Sequence, residues 1–204
     1  MNKIIKNTGI LMAITLVAGA LLGLVYEVTK APIAQAQEDA KQEAYRTVLA
    51  DADTFVNEDS FKENKAQKIL NKAGYDSDDI SEVVAGQDAS GETVGYVITV
   101  TSHEGYGGDI QISVGIETDG TVKGIEMLSI SETAGLGMKA TEADFKDQFK
   151  DKKVEKFSYT KSGEEGDDKI DALSGATITT NAVTNAVDSA LAYFQEELGG
   201  SVNE

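Results

Sequence analysis

The stretch IQISVGIETDGTVKGIEMLSI, from Ile110 to Ile130, decides the fold of this chain. Apolar and polar residues alternate on both sides of Asp119-Gly120, and Asp-Gly between two alternating runs is the strongest short-range signal of a β-hairpin. Two further β-rich runs, SEVVAG and ETVGYVITVTS, precede the hairpin and are divided by Ser90-Gly91. We therefore predict an antiparallel sheet of about four strands.

The end of the chain predicts a long helix. Apolar residues recur there at helical spacing and mark one face of a helix of about five turns. These residues are Ile178, Ala182, Val183, Ala186, Val187, Ala190, Leu191 and Phe194. We predict an α+β fold class, in which an antiparallel-rich sheet is packed by helices.

Shorter elements are expected between the sheet and this helix. A glycine-interrupted loop, Ser131 to Ala140, precedes a short amphipathic helix around Glu142 to Phe149. A strand-like run, VEKFSYT, and a charged loop from Lys161 to Lys169 follow. We predict one domain over residues 80–198 and a flexible tail at 199–204.

Residues 31–79 are predicted to be a helical linker that precedes this domain. From Ala31 to about Leu49, apolar residues recur every four positions, at Ala36, Ala40, Ala44 and Val48, and indicate a helix with a narrow apolar stripe. The acidic stretch from Asp51 to Asp79 has few large apolar residues, so we expect a small helical subregion or a mobile insert there.

The segment Thr8 to Tyr26 contains no charged residue and, at about 1.5 Å per residue, spans roughly the 30 Å hydrocarbon core of a bilayer. Lys3 and Lys6 precede it, and by the positive-inside rule they keep the N-terminus cytoplasmic. We predict that residues 1–30 form a cytoplasmic N-terminus and a single transmembrane helix of the cell (inner) membrane. Everything downstream is then extracytoplasmic.

The alternative to a retained anchor is a cleaved signal peptide, because Ala34-Gln35-Ala36 offers a small-x-small pattern for a peptidase. The apolar run is longer than the roughly 7 to 15 residues of a typical signal peptide. Lys30 and Pro32 also separate the run from that pattern. Both alternatives place the domain outside the cytoplasm.

The composition excludes several classes of function. The chain has 18 basic and 35 acidic residues and a formal net charge of -17, which repels nucleic acid. It has no cysteine, so no iron–sulfur cluster can be held by thiolates, and one histidine, His103, cannot build a multi-histidine metal site. We expect His103 to be exposed or at a strand end, and we expect no metal site. Any electron carrier must be organic.

Candidate chemistry concentrates where the C-terminal helix begins. The small residues Ser174, Gly175 and Ala176 let a bulky ligand approach the backbone, and first-turn amides favour a phosphate. Hydroxyl side chains crowd the same stretch, at Ser174, Thr177, Thr179 and Thr180. The alternative interpretation is that these hydroxyls only cap the helix.

The run Asp171-Ala172-Leu173-Ser174-Gly175-Ala176-Thr177 resembles the flavinylation motif of FMN-binding domains that a dedicated flavin transferase modifies. Glu132-Thr133-Ala134-Gly135-Leu136-Gly137 resembles the Glu-Thr-Pro-Gly-Leu-Gly loop of the same family, with Ala134 in place of proline. Gly105-Tyr106-Gly107-Gly108 also fits the family's pattern. With the N-terminal anchor, the chain is similar to the G subunits of Rnf complexes, the ion-translocating ferredoxin:NAD oxidoreductases.

The resemblance implies that FMN is joined covalently, through its phosphate, to the side-chain oxygen of Thr177, with Thr179 as the fallback. Ser174, Gly175 and Ala176 complete this part of the predicted binding site. Asp171 either positions metal-bound FAD for the flavin transferase or caps a turn, and both possibilities stay open.

The loop of the second motif is expected to contact the flavin. Glu132 and Thr133 offer polar contacts to the ring or the ribityl chain, while Leu136 packs on the ring. Gly135 and Gly137 allow close approach of the backbone.

The resemblance also implies an electron relay within a membrane redox complex, rather than a self-sufficient enzyme. The implied partners are other membrane subunits, iron–sulfur subunits that deliver electrons from ferredoxin, and NAD as the terminal acceptor, with Na⁺ or H⁺ as the coupling ion. One alternative is the similar C subunit of a Na⁺-translocating NADH:quinone oxidoreductase. Another is a non-redox, membrane-anchored binding module in which the hydroxyls only cap the helix.

Overall fold

The structure is a computed structural model that describes residues 2–199. It divides into two compact units, Met1–Lys41 and Gln42–Glu204. The flexible tail predicted at 199–204 lies outside the described residues, except for Gly199. The main elements in chain order are α1 (Asn2–Val48), β1 (Thr54–Asn57), α2 (Glu63–Ala73), β2 (Asp78–Gln87), β3 (Thr93–Ser102), β4 (Ile110–Glu117), β5 (Val122–Ser129), α3 (Ala143–Lys146), β6 (Ser158–Thr160), β7 (Lys169–Asp171) and α4 (Thr177–Glu197).

The first unit consists of the N-terminal part of α1. Its large apolar side chains, including Leu11, Leu16 and Leu22, are exposed. By length and composition this helix is apolar enough to cross a membrane. It is therefore compatible with a single-pass membrane anchor.

The second unit is built on a five-stranded antiparallel sheet with strand order β1-β2-β3-β4-β5. The predicted hairpin is present as β4 and β5. Gly120, with φ of 90°, donates its N–H to the carbonyl of Glu117 and closes the turn. The predicted α+β class with an antiparallel sheet is confirmed.

The sequence analysis did not predict strand β1. It has four residues in the acidic stretch 51–79 and pairs antiparallel with the end of β2, from Thr54 opposite Gln87 to Asn57 opposite Val84. Four residues are too few to show a clear alternation of apolar and polar side chains, so pairing with β2 decides their conformation. Helix α2 follows β1 in the same stretch.

The two faces of the sheet bury separate apolar clusters. Val83 and Ile98, opposite each other on β2 and β3, belong to the large core with α2 and α4. Their neighbours Val84 and Val97 belong to a smaller cluster on the other face. Helix α4 therefore covers one face of the sheet.

The smaller cluster is closed by the last turns of α1, which lie in the second unit. Tyr45, Val48 and Leu49 are buried there. Glycine permits this contact, since an added Cβ at Gly115 would lie 2.0 Å from the carbonyl oxygen of Val48. The domain boundaries at residues 30 and 79 stay predictions.

Candidate functional site

A cleft of about 590 Å³ lies at the N-terminus of α4, within the volume range of about 300–1,000 Å³ typical of small-molecule sites. Three separate parts of the chain meet there. The lining residues are Tyr106, Glu132, Thr133, Leu136, Gly137, Gly175, Ala176, Thr177, Ile178 and Thr179. The two loops and the helix start that carry the sequence motifs therefore form one site.

Helix α4 begins at Thr177, and its N-cap position is Ala176, which has no side-chain cap. Ala176 accepts the N–H of Thr180, so the N–H groups of Thr177, Ile178 and Thr179 precede the first helical hydrogen bond. These three N–H groups have no acceptor among residues 2–199. They form the kind of helix terminus that binds an anion.

The hydroxyl groups at this terminus do not act as a conventional cap. The hydroxyl of Thr180 makes hydrogen bonds of another kind: its Oγ1 accepts the N–H of Leu173 at 3.0 Å and donates to the carbonyl of Ala176 at 3.0 Å. Within the described part of the chain, the hydroxyls of Ser174, Thr177 and Thr179 have no hydrogen-bond partner. Thr177 is half-buried in the cleft wall, so its hydroxyl is free to react with or bind a ligand.

The opposite wall is the loop that contains Glu132 and Gly137. Glu132 Oε1 accepts the backbone N–H of Gly107 at 3.2 Å, which joins two lining segments. An added Cβ at Gly137 would lie 2.6 Å from Thr179 Oγ1 and 2.8 Å from Glu132 Cβ. The glycine therefore keeps the two walls at a distance that a larger residue would change.

Three of the residues expected at the site, Gly135, Ser174 and Asp171, do not line this cleft. Ser174 is exposed in the turn before α4. Asp171 ends β7 and lines a separate polar depression with Lys152 and Lys169. Its backbone N–H donates to Gln148 Oε1 at 2.6 Å, but its carboxylate makes no hydrogen bond to any residue in 2–199, so the side chain caps no turn.

The site contains two side chains that were not predicted as site residues. Tyr106, whose side chain is 72% exposed, comes from the glycine-rich run 105–108. This glycine-rich run was the sequence signal that could have identified Tyr106 as a site residue. Ile178 was predicted as the first residue of the apolar face of the helix; it is 52% exposed and lines the cleft. The buried apolar face of α4 begins at Ala182, since helical spacing alone does not show where the packed part of a helix starts.

The cleft is nearly free of charged side chains. Glu132 is the only ionisable acid in its wall, and the described lining contains no lysine or arginine. A bound phosphate would therefore be held by backbone N–H groups and by the helix dipole.

The chain matches two family models. One is the FMN-binding domain, over residues 105–192, which include every residue of the cleft. The other is the RnfG N-terminal region, over residues 1–48. The first match agrees with two features of the site: the N-terminus of α4 has no side-chain cap, and glycine keeps the walls of the cleft apart. The second unit is therefore an FMN-binding domain.

Similar proteins agree with this class. The G subunit of the Na⁺-translocating ferredoxin:NAD⁺ oxidoreductase complex of Acetobacterium woodii is 32% identical over 197 residues, which cover 95% of this chain and 93% of that protein. The G subunit of an ion-translocating oxidoreductase complex of Methanosarcina acetivorans is 34% identical, over 97% of this chain and 98% of that protein. The chain belongs to the G-subunit family of ion-translocating oxidoreductase (Rnf) complexes.

A solved structure has the same fold. The C subunit of the Na⁺-translocating NADH-quinone reductase of Parabacteroides distasonis has a TM-score of 0.52 and is 20% identical, over 82% of this chain and 96% of that chain. At this identity, the likeness supports the fold alone.

Proposed function

We propose that this chain is an electron-transfer subunit of an ion-translocating oxidoreductase complex and that it carries FMN as a phosphoester on Thr177 Oγ1. The observation that carries the proposal is the position of Thr177. It is the first residue of α4, it lines the cleft, and its hydroxyl has no partner in the described chain.

The charge of the cleft supports a covalent link. A free phosphate monoester carries about -1.5 to -2 charges at pH 7, whereas a diester carries one negative charge. A helix N-terminus offers roughly half a positive elementary charge, and the lining adds no lysine or arginine. This site suits the single charge of a diester better than a dianion.

The attachment is a group transfer from FAD. The Thr177 hydroxyl attacks the phosphorus atom on the riboflavin side of the pyrophosphate, the bond to the AMP phosphate breaks, and AMP leaves while the hydroxyl proton is released. A flavin transferase supplies this reaction. We propose that Asp171 serves the transferase, because its exposed carboxylate has no partner within residues 2–199 and lies outside the cleft wall.

The remaining lining residues position the flavin. Leu136 offers an apolar surface for the ring, while Glu132 and Thr133 offer polar contacts. When bound, FMN supplies one- and two-electron transfer at this site. We propose that the chain's partners are the other subunits of the membrane complex, with ferredoxin as electron source, NAD⁺ as terminal acceptor and Na⁺ or H⁺ as coupling ion.

The proposed topology is a single pass through the cell membrane with a cytoplasmic N-terminus and an extracytoplasmic flavin domain. Lys3 and Lys6 on the N-terminal side of the apolar segment support this orientation. A covalent link is useful there, because dissociated FMN would be lost to the exterior.

Two alternatives from the sequence analysis are less well supported. A C-type subunit of a NADH:quinone oxidoreductase shares the fold, but the relatives described above are G subunits over almost the whole chain. A non-redox module in which the hydroxyls only cap α4 conflicts with the absence of a side-chain cap at Ala176.

The decisive experiment is intact mass spectrometry with in-gel flavin fluorescence after denaturation. The chain is co-expressed with a flavin transferase and compared with Thr177→Val, which removes the hydroxyl at nearly constant shape. We expect the wild type to gain the mass of one FMN less one water, and the variant to gain none. Thr177→Ser keeps a hydroxyl and is expected to retain some attachment.

Thr179→Val is the matched control, because it removes a neighbouring hydroxyl of the same cleft. It is expected to stay flavinylated. If Thr179→Val loses the flavin while Thr177→Val keeps it, the attachment point is Thr179. If wild type and all variants are unmodified beside an active transferase, the proposed covalent function is wrong.

A further inference from the structure

The only histidine of the chain bridges two carboxylates at the base of the loop that carries Tyr106. His103 directly follows β3. Its Nδ1 lies 2.8 Å from Asp109 Oδ1, and its Nε2 lies 2.9 Å from Asp79 Oδ2. A neutral imidazole has one N–H, and an ionised carboxylate only accepts hydrogen bonds, so both bonds require the protonated ring. The sequence analysis expected an exposed or strand-end histidine, and the bridge adds a role to that position.

We propose that protonated His103 is a positioning residue that clamps the loop 104–109 and thereby holds Tyr106 in the wall of the flavin cleft. The effect on the flavin cleft rests on the proposed function. The effect of His103 protonation on the order of the loop does not depend on it.

Two hydrogen bonds join the clamped loop to α4 and to the loop that carries Glu132. Glu104 Oε2 accepts from Asn185 Nδ2 at 2.7 Å, which ties the loop to α4. The N–H of Gly107 donates to Glu132 at 3.2 Å. Tyr106, between these two contacts, lines the cleft. A change at the base of the loop is therefore transmitted to the wall of the site.

The backbone near the histidine is fixed independently of its charge. The N–H of His103 donates to the carbonyl of Ser77 at 2.9 Å, and β3 remains paired with β2 through Ser102 opposite Asp78. Deprotonation leaves one N–H on the ring, so it removes the hydrogen bond to one of the two carboxylates and opens the Asp79–His103–Asp109 bridge without unfolding the strand. The expected response is local to residues 104–109.

The charged groups around His103 are acids. They are Asp79 and the buried Asp78 on β2, Asp109 at the end of the loop just before β4, and Glu104 at its beginning. Hydrogen bonds to Asp109 and Asp79 raise the pKa of His103 above its ordinary value of 6.5. Since the folded-state pKa is raised, the clamp is complete below the ordinary value and is lost as pH rises through the raised pKa.

The test uses the full, tag-free chain in detergent micelles, labelled with ¹³C at histidine, and follows the His103 resonance against pH. One histidine gives one titration curve. We expect a midpoint above 6.5 in the wild type and a lower midpoint in Asp79→Asn and Asp109→Asn. Asp167→Asn, which removes a surface ion pair with Lys152, is the control and is expected to leave the midpoint unchanged.

The second readout is hydrogen exchange of the amides of residues 104–109, corrected for the intrinsic pH dependence of exchange. If the pKa of His103 differs by one unit between the clamped and the open loop, amide exchange should be about tenfold slower below the midpoint than above it. His103→Gln is expected to abolish this dependence. A midpoint at or below 6.5, or loop exchange that does not change through the midpoint, overturns the proposal.

The same measurements on flavin-free Thr177→Val separate the two proposals. If the histidine and loop respond there as in the wild type, the clamp holds independently of the cofactor. If the wild type carries no flavin while the loop still responds to pH, the covalent function fails and the clamp stands. If the wild type carries flavin but neither readout responds, the clamp fails alone.

Discussion

Gly175 determines how the backbone enters α4. Its φ is 76°, in the left-handed region that glycine adopts without steric cost, and an added Cβ would lie 3.2 Å from Leu136 Cδ2. Gly175→Ala is expected to cost about 1–2 kcal/mol in the free energy of unfolding and to displace the turn that presents Thr177. We therefore expect a clear loss of covalent FMN, measured by intact mass after co-expression with the transferase.

Gly163 provides the control for this substitution. Its φ is 68°, nothing lies within 4 Å of an added Cβ, and it lines the polar depression instead of the flavin cleft. Gly163→Ala carries a similar backbone cost and should leave flavin loading unchanged. Equal loading in the two alanine variants would contradict the role given to the turn at Gly175.

Helix α4 is joined to its neighbours by a buried carboxyl group. Asp188 is 3% exposed, accepts the N–H of Phe157 at 2.8 Å and accepts the hydroxyl of Tyr75 at 3.3 Å. Burial raises the pKa of Asp188 from 3.8 to about 7, since the ionised form is poorly solvated and Asp78 lies nearby. The carboxyl of Asp188 thus connects α4 with the segments before β2 and β6.

The raised pKa predicts a pH-dependent stability. Between pH 3.8 and about 7 the unfolded chain loses the Asp188 proton while the folded chain keeps it, so the free energy of unfolding falls as pH rises. Asn at this position keeps an acceptor for Phe157 and does not ionise. Relative to Asp188→Asn, the free energy of unfolding of the wild type should fall by up to about 1.4 kcal/mol per pH unit in that range.

Urea unfolding at a series of pH values measures this difference. We expect the free energy of unfolding of Asp188→Asn to increase relative to that of the wild type as pH rises. This difference should become constant above about pH 7. A constant difference across the range would mean that Asp188 has the same pKa in the folded and unfolded chains.

At the scale of the whole molecule, the two units divide within α1, and the last turns of α1 belong to the second unit, the FMN-binding domain. Tyr45, Val48 and Leu49 cover the sheet face that carries Val84 and Val97. A chain that begins at residue 42 keeps this cover, and a chain that begins at residue 51 loses it. We expect the first truncation to be soluble without detergent and to unfold cooperatively.

The second truncation should be severely destabilised. Removing a large buried side chain costs about 2–5 kcal/mol, so the loss of three approaches the whole stability of a domain, about 5–15 kcal/mol. Thermal unfolding followed by circular dichroism compares the two chains. Similar melting temperatures would show that the smaller cluster contributes little to the domain.

Local signals in the sequence determined the hairpin around Asp119-Gly120, the C-terminal helix and the apolar N-terminal segment. Turn chemistry and periodicity act over a few residues, so a single sequence contains them. The resemblance to the flavinylation motif likewise gives Thr177 as the predicted attachment point. Strand β1 could not be predicted, because its pairing with β2 and the packing of Phe55 on the smaller cluster hold Thr54–Asn57 in place.

Tertiary structure alone decided how the separated segments meet. It brings Tyr106, the loop around Glu132 and the start of α4 into one cleft, exposes Ile178 to that cleft, and leaves Asp171 outside it. It also places Asp79, 24 residues away in sequence, against His103. Such contacts depend on the packing of β-strands and α4 over long separations, for which the sequence contains no local pattern.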